Sequence, residues 1–299
     1  MADRRLAATQ KFIRQIESSS EFHLLDAVVK GETTVQDAVQ RVVDSTLEAL
    51  AAHGPTMQGG IGLSDYNVSL AVLEHAQRLE PSDHTKLVDF LAHLQQQKAL
   101  DPSTQEPLKV QGDSLWADMP SLGYTELETW SEFGGAHQDP CDSTMGTQQR
   151  DRWTKLNAFL AQLTQAAQID YPSPGEQARF SPLDKSLRGI WTISRVLENE
   201  STPAALHNTA AMEAACQWLI LAADRLWANV LNERRYPKEA GAGPGKRYSE
   251  KDWTGYSRER WALWADAMRE AQEACKDQRM SQLIEGALKN LNKATENGR

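Results

Sequence analysis

A set of oxygen donors spaced one helical turn apart is the first feature of this sequence that could do chemistry. Asn229 and Glu233 are separated by one turn, and Asp224 lies a little over one turn before Asn229. Positions so spaced share a helix face, and oxygen ligands aimed from facing helices are what a Mg²⁺ site requires. Asp151 and Asn157, on an earlier helical stretch, are candidates for the opposite side of such a site. Cations accompany them. Arg188 follows Asp184 by one turn, while Arg234, Arg235, Lys238, Lys246 and Arg247 surround a glycine-rich stretch, GAGPGKR at 241–247. Guanidinium forks match phosphate oxygens, so Arg188, Arg234, Arg235 and Arg247, with Tyr248 adding a hydroxyl, are candidates to hold a diphosphate beneath a mobile lid. A purely structural alternative stands beside this. Pairs at i,i+4 arise constantly by chance, Asp224 and Arg225 can pair with helical neighbours, and a basic loop is commonly just solvated.

Other chemistries find less support. GAGPGKR is not a phosphate-binding P-loop: Ala240 stands where the spacing needs glycine, Arg247 replaces the magnesium-holding Ser or Thr, and a helix precedes it instead of a strand. The seven histidines form no HExxH motif, and no GxSxG nucleophile elbow occurs. Cys141, Cys216 and Cys275 are far apart and odd in number, which fits neither a zinc site nor a disulfide framework and points to a reducing, cytoplasmic setting. A formal charge of −9 argues against nucleic acid, whose phosphates need a basic face. The longest apolar run, Trp218 to Ala223, is far too short to span a bilayer. All nine tryptophans follow residue 115. Each buries a large ring but carries an N–H that needs a partner, so core packing and the rim of a cavity both suit them.

The elements that would position these residues read as helices. The organising stretch is 203–235, where Thr202 can cap the N-terminus, Pro203 suits the first helical position, and residues 210–231 are apolar on nearly every face. Earlier helices are expected at 3–18, at 21–30 before Gly31, from Thr34 with Asp37 as a capping box to Gly54, from Ser64 to about Leu79, and from Ser82 to Leu100. Later ones are expected at 125–133, 148–167, from Pro182, from Ser257 and at 281–295. No stretch alternates with period two, so no strand is expected. The sequence therefore predicts an all-α protein: one bundle of about ten helices over 1–299 around the 203–235 helix, with residues 1–100 as a candidate subdomain.

Several segments resemble a fungal family of uncharacterised proteins known as a domain of unknown function: HTKLVDFLAHL (84–94), SLWADMPSLG (114–123), RWTKLNAFLAQL (152–163), SLRGIWTISRVLE (186–198), AACQWLILAADRLW (214–227) and SRERWALWADAMRE (257–270). The likeness covers about residues 60–275. In size, all-α build and lack of the usual cyclase motifs, the chain is also similar to non-standard fungal sesquiterpene cyclases that make α-humulene. In the usual (N/D)Dxx(S/T)xxxE motif, Asn229 and Glu233 match the last two ligand positions, Arg225 stands where the first should be, and no Asp-Asp pair occurs. That resemblance implies Mg²⁺-dependent ionisation of farnesyl diphosphate, closure to a humulene-like hydrocarbon, and a homodimer. It would make Asp224, Asn229, Glu233, Asp151 and Asn157 the metal ligands. Aromatic faces stabilise a migrating cation, a role for Trp191, Trp218, Trp227 and Trp264. The alternative is a non-catalytic helical protein that binds a hydrophobic molecule or a protein partner.

Overall fold

The computed structural model describes residues 2–54, 60–171 and 179–297, and within them the side chains from residue 7 onward except those of 179 and 180. Strand among the described residues is confined to two-residue pieces, so the fold is all-α, as the absence of period-two patterning requires. No described helix is long and apolar enough to cross a membrane. The chain divides into two compact units, Met1–His137 with Phe180–Leu183, and Gln138–Arg179 with Asp184–Arg299.

The first unit packs α1 (Ala2–Glu17), α2 (Ser20–Lys30), α3 (Val35–His53), α4 (Ile61–Ala76), α5 (Thr85–Gln95) and α6 (Pro120–Ser131). The local stop and start signals work as chemistry demands. Thr34 Oγ1 accepts the Asp37 N–H, and Gly31 ends α2 in a left-handed conformation. Several boundaries differ from expectation. Helix α4 begins at Ile61, ahead of Ser64, α5 runs from Thr85 to Gln95 rather than from Ser82 to Leu100, and α6 begins at Pro120 rather than at 125. Residues 55–59 of the expected glycine-rich loop lie outside the described residues. The core of this unit includes His75, which is 4% exposed, donates from Nε2 to the Phe22 carbonyl at 3.1 Å and stacks on the Phe22 ring at 4.1 Å.

The second unit contains α7 (Thr147–Ala166), α8 (Ser186–Leu197), α9 (Pro203–Leu206), α10 (Ala210–Leu221), α11 (Ala223–Leu231), α12 (Arg258–Ala274) and α13 (Gln278–Asn297). Its centre is α10, which packs against α7, α8 and α13. Small residues Ala211, Ala214 and Ala215 are wholly buried there and allow close approach of the neighbouring backbones. Glu213, on the same helix, is 1% exposed and is paired with Arg150 of α7 at 2.8 Å and with Arg279 of α13. A buried carboxylate must be matched in this way, and the match ties three helices together.

The 203–235 helix is a correction. Thr202 and Pro203 do start a helix, but it closes after one turn, Thr209 caps a second, and a third begins at Ala223. At the break at Ala222 (φ −131°, ψ 11°) the Arg225 N–H, one of the free donors in the first turn of α11, is taken up by the Gln165 side chain of α7 at 3.3 Å.

Burial holds the His75 pKa below its ordinary value of about 6.5. The unfolded chain therefore binds a proton that the folded one resists. Stability is full above that value and falls as the pH drops below it, by at most about 1.4 kcal/mol per pH unit for one proton. Urea unfolding at pH 7.5 and 5.5 should show this loss, and His75→Gln should reduce it.

Candidate functional site

A cleft of about 310 Å³ opens beside the end of α11 and the start of α12. Its lining carries Glu233, Arg235, Asp252, Trp253, Tyr256, Arg258 and Glu259. The turn that builds it starts where α11 stops. Glu233 adopts the left-handed conformation (φ 45°), and the Arg234 N–H closes back on the Asn229 carbonyl at 2.9 Å. Residues 234–236 then run antiparallel to 254–256, with Tyr236 N–H donating to Thr254 O at 2.8 Å and Tyr256 N–H to Arg234 O at 2.9 Å. Gly255 is required at this crossing, since a Cβ there would lie 2.1 Å from the Arg234 carbonyl oxygen. Ser257 caps α12 through the Arg260 N–H at 3.1 Å.

A fully buried ion pair fixes one wall of this cleft. Arg260 donates from Nε to Glu198 Oε1 at 2.6 Å and from Nη2 to Oε2 at 3.0 Å, and both side chains are 0% exposed. Its remaining donors reach the carbonyls of Ala242 (2.8 Å), Gly243 (2.9 Å) and Gly255 (3.0 Å). Glu198 in turn accepts the Trp264 indole N–H at 2.7 Å and the Gly245 N–H at 2.6 Å. Gly245 has no room for a side chain, because a Cβ would meet Glu198 at 2.5 Å. The glycine-rich loop is thus hydrogen-bonded to the Glu198–Arg260 pair, and none of its residues 241–247 lines the cleft.

Charge in the cleft is nearly balanced. Glu259 accepts from Lys251 Nζ at 2.6 Å and from Trp253 Nε1 at 2.9 Å, and the Lys251 contact holds its carboxyl below the usual range. Glu233 and Asp252, two exposed carboxylates, line the cleft together with two exposed guanidiniums, Arg235 and Arg258. Arg258 also lies over the Trp227 ring, 5.4 Å from its centre. At an exposed site such a contact is worth about 0.5–1 kcal/mol.

Of the expected metal ligands, the structure brings only Glu233 to the cleft lining. Asp224 and Asp151 are exposed near the starts of α11 and α7. Asn229 is 0% exposed and committed within the fold: its Nδ2 donates to Ser186 Oγ at 2.9 Å, and its Oδ1 accepts the Tyr171 hydroxyl at 2.6 Å. Asn157 is equally engaged, accepting from Trp218 Nε1 at 2.9 Å and Thr192 Oγ1 at 2.8 Å. Asn229 and Glu233 do not share a helix face as expected, because the left-handed turn after Leu231 separates them. No group of three His, Cys, Asp or Glu side chains suited to a metal occurs among the described residues.

The expected diphosphate residues also divide. Arg235 lines the cleft. Arg234 is buried and paired with Asp184, whose side chain is 0% exposed. Arg188 stacks on Trp191 at 4.4 Å, while Arg247 pairs with Glu270 at 3.3 Å. Tyr248 packs its ring against Trp253 at 5.7 Å. Of the tryptophans, Trp218 and Trp264 are sealed in the core with their N–H groups bonded, and Trp191 donates to the Ala240 carbonyl at 3.1 Å. Trp227 is 5% exposed, and its indole N–H is buried without an acceptor among the described residues.

Sequence reasoning missed Asp252, Arg258 and the Glu198–Arg260 pair. A signal for the pair was present: Arg260 lies next to Trp261 and one turn before Trp264 in an otherwise apolar stripe, and a charge at a core position demands a partner. Glu198→Ala leaves the Arg260 charge buried and three loop carbonyls poorly held. The expected loss is about 3–5 kcal/mol, read as a lowered urea midpoint.

No curated protein and no solved structure matches this chain. A family match covers residues 70–268, which is most of the chain and takes in α5 through most of α12. The match includes both arms of the Glu198–Arg260 pair and the residues that line the cleft, and the family's description assigns no activity. The chain belongs to the family described as protein of unknown function (DUF3632).

Proposed function

We propose that this chain acts on farnesyl diphosphate, with the diphosphate held in the Arg235–Arg258 cleft, and releases diphosphate and a humulene-like hydrocarbon. The observation that carries the reading is the lining itself: two exposed guanidiniums, Arg235 and Arg258, and two exposed carboxylates, Glu233 and Asp252, share one opening. The substrate is taken from the resemblance to non-standard fungal sesquiterpene cyclases. In the reaction the allylic C–O bond breaks and diphosphate leaves with the electron pair. The cation closes on its own double bond, and loss of a proton gives the hydrocarbon.

The residues suit a magnesium ion that arrives with the substrate better than one held in advance. Glu259 is neutralised by Lys251, and Glu233 and Asp252 balance Arg235 and Arg258. Such a cleft has no net pull on a bare diphosphate. Mg²⁺ commonly binds through one or two carboxylates plus substrate phosphates, keeping its waters, so Glu233 and Asp252 are the residues that would hold it. When bound, the ion would stabilise the departing diphosphate as a Lewis acid. The chain's own contribution is to orient the head group through Arg235 and Arg258.

A second reading, binding without turnover, is favoured by one observation: Trp218 and Trp264 are packed into the core with their N–H groups satisfied and do not wall a cavity. Incubation of the full chain with farnesyl diphosphate and Mg²⁺, with and without EDTA, tests both, using gas chromatography–mass spectrometry for products and calorimetry for binding. A Mg²⁺-dependent hydrocarbon, reduced at least about tenfold by Arg235→Ala through loss of a charged contact, is the expected result. Binding without hydrocarbon would leave the second reading, and no binding would end both. A homodimer is part of the same proposal, checked by sedimentation equilibrium.

A further inference from the structure

We propose that the outward face shared by α4 and α6 in the first unit is a docking surface for a cationic amphipathic helix of a partner protein. It owes nothing to the cleft of the second unit, and either can stand without the other.

Two large apolar side chains that the fold leaves in solvent sit on these helices: Leu63 of α4 is 40% exposed and Tyr124 of α6 is 60% exposed. The two helices pack against each other, so their outward faces adjoin. Half-exposed Tyr66 and Leu70 continue the Leu63 face at one-turn spacing, and half-exposed Leu127 continues the Tyr124 face. The two faces meet at Glu128, an exposed carboxylate. It accepts from the Tyr124 hydroxyl, which raises the Tyr124 pKa. Burial, and after it the Glu128 charge, raises the pKa of Tyr66 on the other helix. Single exposed apolar residues are ordinary, but a set gathered on one face marks an interaction surface.

Charge selects the occupant. No Lys or Arg occurs between Arg41 and Arg78 or between Lys109 and Arg150, so both helices lie in stretches of chain without a permanent cation. The first unit holds 20 Asp and Glu against 10 Lys and Arg, the second 21 against 22. The acidic surplus of the whole chain therefore belongs to the first unit. Such a field repels nucleic acid and anionic lipid and draws a basic segment. Two copies of this face would bring like charge together, which opposes a second copy of the chain as occupant. A helix with an apolar stripe flanked by Lys and Arg answers both features, since its stripe covers the leucines and phenol rings while its cations meet Glu128.

The test uses a fluorescently labelled synthetic helix of Leu and Lys at amphipathic spacing, about 18 residues long, titrated with the full chain and read by anisotropy. A scrambled peptide of the same composition and a Leu–Glu helix are the controls, and both should bind at least about tenfold more weakly than the Leu–Lys helix. The double variant Leu63→Ser with Tyr124→Ala alters only exposed side chains, so its circular dichroism should match that of the unaltered chain. It should bind the Leu–Lys helix at least about tenfold more weakly, the scale of losing central contacts of an interface. Glu128→Gln should weaken binding about two- to fivefold and reduce its dependence on salt. Undiminished binding by the double variant, equal binding of the scrambled peptide, or no binding of the Leu–Lys helix overturns the proposal. A dimer in sedimentation equilibrium that Tyr124→Ala dissociates overturns it as well, because the occupant of the face would then be a second copy.

Discussion

The second unit depends on one buried charge pair. Removing two ions from water costs several kcal/mol for each, and that cost is offset only when every lone pair and N–H is matched. Glu198 and Arg260 meet this condition in full, through five hydrogen bonds donated by the guanidinium and two further ones accepted by the carboxylate from Trp264 and Gly245. The partners are not an arbitrary sample of the unit. They are the end of α8, the glycine-rich loop, the crossing at Gly255 and the first turns of α12. The pair ties the connection of residues 232–257 to the end of α8 and the start of α12.

A second polar set does comparable work elsewhere in the unit. The Asn157 side chain on α7 accepts from Trp218 on α10 and from Thr192 on α8. Asn229 similarly joins Tyr171, Ser186 and the end of α11. Hydrogen-bonded groups of this kind specify one arrangement of helices, because any slip leaves a buried donor or acceptor unmatched. The tryptophans belong to the same logic. Trp218 and Trp264 are core residues with their polar edge accounted for, whereas the Trp227 N–H has no acceptor among the described residues and its ring lies beneath Arg258.

Much of the fold is legible in the sequence because its signals are local. Thr34 with Asp37, Thr202 with Pro203, and Ser257 each act within one turn, and each is where the chemistry of an exposed N–H places it. The site is less legible because its decisive contacts are not local. The first turn of α11 finds its acceptor in Gln165, sixty residues earlier in the chain. Glu198 finds Arg260 across sixty-two residues. Asn229 and Glu233 share helical spacing, but a left-handed residue after Leu231 sends them to different environments, and spacing arguments assume that the helix continues. Arg235 and Glu233 were visible as candidates by residue type. Arg258 is the first residue of a helix that the sequence marks only by its Ser257 cap.

The antiparallel crossing of 234–236 with 254–256 makes loop length itself a determinant. Neighbouring residues on an extended strand point to opposite sides, so Arg234 goes inward to Asp184 while Arg235 goes outward to the cleft. Insertions are usually tolerated where chain connects helices, and this connection is an exception. A one-residue shift of this register would turn Arg234 toward the cleft and Arg235 toward the interior, breaking the Arg234–Asp184 pair, so the spacing from α11 to this crossing is as much a part of the site as Arg235.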